Sequence, residues 1–208
     1  MLTTSVRLSA FNMLFGHCAL QPAMKTAKTA SDKYAPGIEG GNPTASDALK
    51  LLMADLMRDD ISIVTPSGDK RHALGYTEAY DDFLGYPAIL GPTTDIIVVG
   101  AVGSDGYRPF FSSGTGTQVT VSAPGFVVCA GESKGHYQLF SGTSYAASSV
   151  AGILAAWLSQ PEHKDRLQVE GKAAANVKTM VQDLAYSRVE GRPKVIWNGV
   201  DPRKDEYI

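Results

Sequence analysis

The run Ser141-Gly142-Thr143-Ser144-Tyr145-Ala146-Ala147-Ser148-Ser149-Val150-Ala151-Gly152 sets a tight glycine turn directly ahead of an apolar-striped helix. From Ala147, the residues Val150, Ala151, Leu154, Ala155 and Leu158 recur at helical spacing, so one face of that helix is buried. Ser144 then falls in its first turn. The unpaired N–H groups and positive dipole end there favour negative charge, which suits an oxyanion forming beside an attacked carbonyl. Serine and threonine are also the ordinary helix caps, so the run reads on its own equally as a capped helix.

The rest of the chain alternates strands with helices. Thr44 and Asp47 form a weak capping box ahead of the stripe Ala45, Ala48, Leu49, Leu52, Met53 and Leu56. Asp59-Asp60 close that helix, and Ile61-Ser62-Ile63-Val64 reads as a short strand. Pro161 to Asp165 reads as a charged loop. A further helix is expected from about Ala173 to Tyr186, striped by Val177, Met180, Val181, Leu184 and Ala185. Lys194 to Gly199 reads as a short edge strand, and Val6 to Phe11 as a core strand. Gln21 to Asn42, rich in Lys, Thr, Ala, Ser, Gly and Pro, reads as a mobile surface insertion. The expected class is α/β, a single domain over residues 1–208 with a largely parallel sheet covered on both faces.

Composition removes several functions. The net charge of −2 with 19% charged residues offers no basic stripe for nucleic acid. No apolar run reaches the roughly 18 residues a membrane span needs. Met1 to Ala23 is interrupted by Asn12 and His17 and makes a poor signal peptide. The two cysteines, Cys18 and Cys129, form no disulfide framework and are expected as free thiols.

Gly142-Thr143-Ser144-x-Ala146, ending in Val150-Ala151-Gly152, resembles the serine motif of the subtilisin-like serine peptidases. Three further segments resemble the family in the same order: Ile96 to Val102, Phe111-Ser112-Ser113, and Val119 to Gly125. The rival nucleophile elbow, G-x-S-x-G, would need glycine where Ala146 stands. Val6 to Phe11 matches in position the family strand whose end lines the cleft, and Val195-x-Trp197-Asn198-Gly199 resembles the end of fungal subtilisin-like domains.

The resemblance implies a subtilisin-like three-layer sandwich with Ser144 as nucleophile. It implies an oxyanion site formed by the Ser144 backbone and residue 69, where the family's Ala-Gly-Asn is replaced by Ser67-Gly68-Asp69. A carboxylate offers no N–H, and losing that donor costs about 2.7–4 kcal/mol of transition-state stabilisation. Gly85-Tyr86-Pro87-Ala88 resembles the wall of the primary pocket, with Pro87 expected cis. Ser67, Gly68, Gly142 and Thr143 complete that pocket. Ser148 replaces a family proline, adding an N–H and removing a rigid turn. Acyl transfer by serine needs no cofactor. The family often binds structural calcium, but no carboxylate cluster maps to such a site. The implied partner is a polypeptide substrate, with no nucleic acid and no membrane, and oligomeric state is not legible.

A serine nucleophile needs a base and a group that orients it. The family's His-Gly-Thr and its Asp-Thr-Gly or Asp-Ser-Gly do not occur here, and His17, His72, His136 and His163 all read as loop histidines. The chain therefore resembles the C-terminal part of the family's domain, truncated at its N-terminus. Three outcomes follow: an endopeptidase whose Asp and His lie elsewhere, an inactive relative that keeps a peptide cleft, or a fragment without function. A full-length form would be extracellular or vacuolar by resemblance.

Overall fold

A computed structural model describes the backbone of residues 11–12 and residues 52–69, 84–130 and 135–199. The expected cap at Thr44, the insertion 21–42 and most of the strand at Val6 lie outside these residues.

Strand β3 (Ile97–Val102) explains the architecture, because all six of its residues are buried. A strand buried on one face would alternate apolar with polar; this one is covered on both. Ile97, Val99 and Ala101 pack with Val64, Val121 and Ala123 into one apolar cluster, and Ile96 and Val98 pack with Met53, Ile63, Leu84 and Ala88 into another. The result is three layers, with the sheet in the middle.

The sheet runs β1 (Phe11–Asn12), β2 (Ile63–Pro66), β3, β4 (Val121–Pro124), β8 (Lys194–Val195), β7 (Tyr186–Ser187). Pairings from β1 through β8 are parallel, with Val64 opposite Ile97 and Val99 opposite Val121. Only β7 runs antiparallel to its neighbour. A separate antiparallel hairpin joins β5 (Phe126–Ala130) to β6 (Tyr137–Ser141).

Helix α1 (residues 52–58) covers one face. Helix α2 (Thr143–Ser159), the short α3 (Lys164–Leu167) and α4 (Ala173–Leu184) cover the other. Val150 and Leu154 of α2 are 0% and 2% exposed. Each such burial contributes about 1.5–3 kcal/mol.

Several expectations shift. The strand expected at 61–64 is Ile63–Pro66, because Asp60 has φ +61° and turns the chain before pairing begins. Leu52 is 45% exposed, so Met53 and Leu56 carry the contact of α1. Ala155 and Leu158 are only half-buried, whereas Trp157, off the expected stripe, is buried. Helix α4 ends at Leu184, and Tyr186 enters β7 instead. That strand flanks β8, so Lys194–Val195 is not an edge. The charged loop after α2 is a 3-10 turn, Pro161–His163, leading into α3. Cys129 is disulfide-bonded rather than free. Cys18 lies outside the described residues. Among the described residues, no helix is long and apolar enough to cross a membrane.

Candidate active site

Helix α2 starts where the hairpin strand β6 ends. Gly142 is its N-cap, in an extended conformation, and gives its N–H to Gly125 O at 2.9 Å. A Cβ on Gly142 would stand 3.0 Å from Asp69 Oδ2, so glycine at 142 is what lets residue 69 approach the helix end.

The loop after β2 reaches that end through two bonds. Thr143 N–H donates to Asp69 Oδ1 at 2.8 Å, and Gly68 N–H donates to Thr143 Oγ1 at 3.1 Å. Gly68 has φ +104°, a conformation costly for any residue with a Cβ. Its carbonyl accepts from Ser113 N–H at 2.9 Å, which ties the Phe-Ser segment into the same cluster. Ser67 is 1% exposed, and its Oγ has no hydrogen-bond partner among the described residues.

These bonds assign the donors of the first helical turn. Thr143 N–H is taken by Asp69, and Tyr145 N–H is turned onto Gly142 O at 3.2 Å. Between them, Ser144 N–H has no acceptor among the described residues outside the helix. The Ser144 side chain is half-buried. The phenol of Tyr145 is raised above its usual range, first by burial and then by the charge of Asp69. Ser148, in the proline's place, donates its hydroxyl to Ser144 O at 3.1 Å.

Tyr86–Pro87 is cis, as the resemblance implied. Tyr86 is exposed, Gly85 and Pro87 half-buried, and Ala88 buried in the α1 layer. Gly114 links this turn to the loop after β2: a Cβ there would meet Leu84 at 2.8 Å and Ser67 at 3.8 Å. The structure thus brings Ser67, Gly68, Asp69, Gly142, Thr143 and Ser144 together directly, and Gly85 to Ala88 only through that intermediary. Two contributors escaped the sequence reading as site residues, Gly125 and Tyr145. Gly125 lay within a quoted segment, Val119 to Gly125, but nothing in its spacing marks its carbonyl as the anchor of Gly142.

Neither described histidine can reach Ser144. His163 stacks edge-on to Trp157 at 6.5 Å. Thirteen residues of helix separate Ser144 from Trp157, about 20 Å at about 1.5 Å per residue. His136 is exposed beside the Ala130–Tyr137 pair, while the hairpin end next to Gly142 is the Phe126–Ser141 pair, about 14 Å away along the strands. His17 and His72 lie outside the described residues. Among the described residues, no three His, Cys, Asp or Glu side chains gather to hold a metal.

Residues 11–192 match the Subtilase family, and the chain belongs to it. Subtilisin E of Bacillus subtilis (strain 168) is 32% identical over 148 residues, covering 71% of this chain and 36% of that protein. Subtilisin of Bacillus pumilus is 32% identical over 148 residues, covering 71% of this chain and 50% of its own length. The match therefore takes in half or less of each of these relatives. Among solved structures, a cold adapted subtilisin-like serine proteinase superposes with TM-score 0.55 at 23% identity, over 78% of this chain and 53% of its own. The prenylagaramide maturation protease PagA gives TM-score 0.52 at 19% identity, over 80% and 57%. The fold is therefore the subtilisin-like α/β sandwich.

Proposed function

We propose that Ser144 is the nucleophile of a serine-type endopeptidase site. The observation that carries this reading is the placement of a half-exposed serine, its own N–H open, in the first turn of a helix braced by the loop Ser67-Gly68-Asp69. In the reaction, Ser144 Oγ bonds to a peptide carbonyl carbon while a base takes its proton. The proton passes to the departing amine as the C–N bond breaks, and water then releases the acyl group. The Ser144 N–H faces the developing oxyanion. Ser67, Gly68, Gly142, Thr143 and the Gly85-Tyr86-Pro87-Ala88 turn form the wall for a polypeptide substrate. The base and its orienting carboxylate have no motif in this sequence, so this reading draws them from polypeptide beyond it. The ending Val195-x-Trp197-Asn198-Gly199 supports a fungal-type branch of the family.

A second reading, a catalytically inactive cleft that binds peptide, is favoured by one specific contact. Asp69 stands where the family places an amide donor, and it accepts a hydrogen bond instead. A fluorophosphonate probe and a fluorescent unstructured peptide separate the two. Labelling of the wild type that Ser144→Ala abolishes supports the endopeptidase. Saturable peptide binding without labelling supports the inactive cleft, and failure of both assays sinks the two together.

A further inference from the structure

The β5–β6 hairpin stands outside the main sheet, and its two faces differ. In an antiparallel ribbon, residues paired across the strands point to the same side, and neighbours along a strand alternate. Phe126, Val128 and Ala130 therefore share one face with their partners Ser141, Leu139 and Tyr137. On the other face Val127, Cys129 and Phe140 are half-buried, and the Phe140 ring stands 6.4 Å from that of Tyr145 on α2. The first face is thus turned away from α2.

That first face is bare. Val128, Leu139 and Tyr137 are 67%, 68% and 74% exposed, and Phe126 is 40% exposed. Neither strand carries a charged residue. Single exposed apolar side chains are ordinary on a protein surface, but four on one uncharged ribbon face form a patch that marks an interaction site.

The shape of the face is complementary to itself. Val128 and Leu139 form the central pair, with the Phe126 ring beside small Ser141 at one end and the Tyr137 ring beside small Ala130 at the other. Two such ribbons can stack about a two-fold axis lying between them over the central pair. With the axis across the strands, Phe126 falls over Ala130 of the second copy and Tyr137 over Ser141. With the axis along the strands, Phe126 falls over Ser141 and Tyr137 over Ala130. Either way each ring meets a small residue and the aliphatic side chains fill the centre, which is what an isologous contact requires. The four large residues expose about 500 Å2 per copy, so the contact buries about 1,000 Å2, the lower limit of a specific interface. Aromatic side chains around an uncharged centre are the composition such interfaces have, and a net charge of −2 leaves little repulsion between copies.

We propose that this face is a homodimer interface, at which two copies of the chain stack their β5–β6 ribbons about a two-fold axis. The proposal stands apart from any chemistry at Ser144. Analytical ultracentrifugation of the full chain across a wide range of concentration tests it. The expected result is a reversible shift in mass from one chain toward two, with no larger species. Val128→Lys and Leu139→Lys are each expected to weaken the dimer about tenfold or more, because each sets an unpaired charge at the centre of the contact. Both positions are mostly exposed in the single chain, and thermal melts at low concentration verify that the variants fold. Val169→Lys, at a 40% exposed apolar position on the loop after α3, should dimerise like wild type. A chain that stays monomeric leaves the face to some other polypeptide and overturns the proposal. So does open-ended association, a dimer that both folded ribbon variants leave unchanged, or one that Val169→Lys weakens equally.

Discussion

Asp69 Oδ1 takes the backbone N–H of Thr143 at 2.8 Å, across 74 residues of chain. This single bond caps the helix that carries Ser144 and fixes the loop after β2 against it. Asp69→Ala leaves that N–H without its partner and is expected to lower stability by about 1–2 kcal/mol, read from the urea midpoint. Asp69→Asn keeps an acceptor oxygen and stays within about 0.5 kcal/mol of wild type. If Ser144 is the nucleophile proposed above, the variant also adds an N–H facing the oxyanion, so fluorophosphonate labelling of Ser144 is expected to run faster than in wild type.

Lys178 on α4 fastens the opposite layer. Its Nζ donates to Gly91 O at 2.7 Å and to Thr94 O at 2.5 Å. Burial pulls its pKa below the ordinary 10.5, partly offset by the charge of Asp95. Lys178→Met removes both bonds and is expected to cost about 1.5 kcal/mol, discounted because the group is partly exposed. The sign of the pH dependence follows from linkage. Between the lowered folded value and 10.5 the unfolded chain binds more protons, so the stability of wild type relative to Lys178→Met rises with pH across that window. Denaturation at pH 7 and at pH 10 measures both effects, and a difference that shrinks with pH would contradict the assignment.

Asp60 does two things at once. Its φ of +61° reverses the chain between α1 and β2, and its Oδ1 accepts Ala174 N–H at 2.9 Å in the first turn of α4. Asp60→Ala loses the cap and strains the left-handed backbone, an expected loss of about 2 kcal/mol in thermal or urea unfolding. Asp60→Asn keeps both properties and should stay close to wild type. Asp60→Gly relieves the strain while losing the side-chain acceptor, and should fall between them.

What could be read in advance was whatever depends on neighbours in sequence. The apolar run at Ile96 to Val102 and the stripes of α2 and α4 report burial through their own periodicity, so the layers and the parallel sheet were legible. Gly142 and Ser144 were legible for the same reason, as a turn joined to a helix start. Contacts closed only by the fold were not. Nothing near Asp60 announces a partner 114 residues away, and nothing near Asp69 announces Thr143. Trp157 is buried because the chain turns at Pro161 and brings α3 back over α2, covering a side that a one-face stripe leaves open. The interior position of β8 depended on Tyr186 leaving α4 to form β7, a boundary that helical spacing alone extends too far.

Gly125 lies where two backbones cross. Its N–H donates to Val102 O at 3.1 Å and its carbonyl accepts Gly142 N–H at 2.9 Å, so it links β3 to the turn before Ser144. A Cβ at 125 would meet Ala101 Cβ at 2.5 Å, with Gly142 O and Phe111 Cζ at 3.4 Å. Ala101 is fully buried in the α2 cluster and has no room to yield, so the β5 end must lift and carry Gly142 with it. Gly125→Ala is therefore expected to lose about 1–3 kcal/mol of stability, and to weaken peptide binding or labelling at Ser144 beyond what the lost stability explains. Gly152 gives the contrast within the same helix. It is exposed, and a Cβ there would meet nothing within 4 Å, so Gly152→Ala should gain about 0.5–1 kcal/mol from helix propensity. Urea unfolding of the two variants should shift the midpoint in opposite directions, and equal shifts would remove the claim that the crossing at Gly125 holds the Ser144 turn in place.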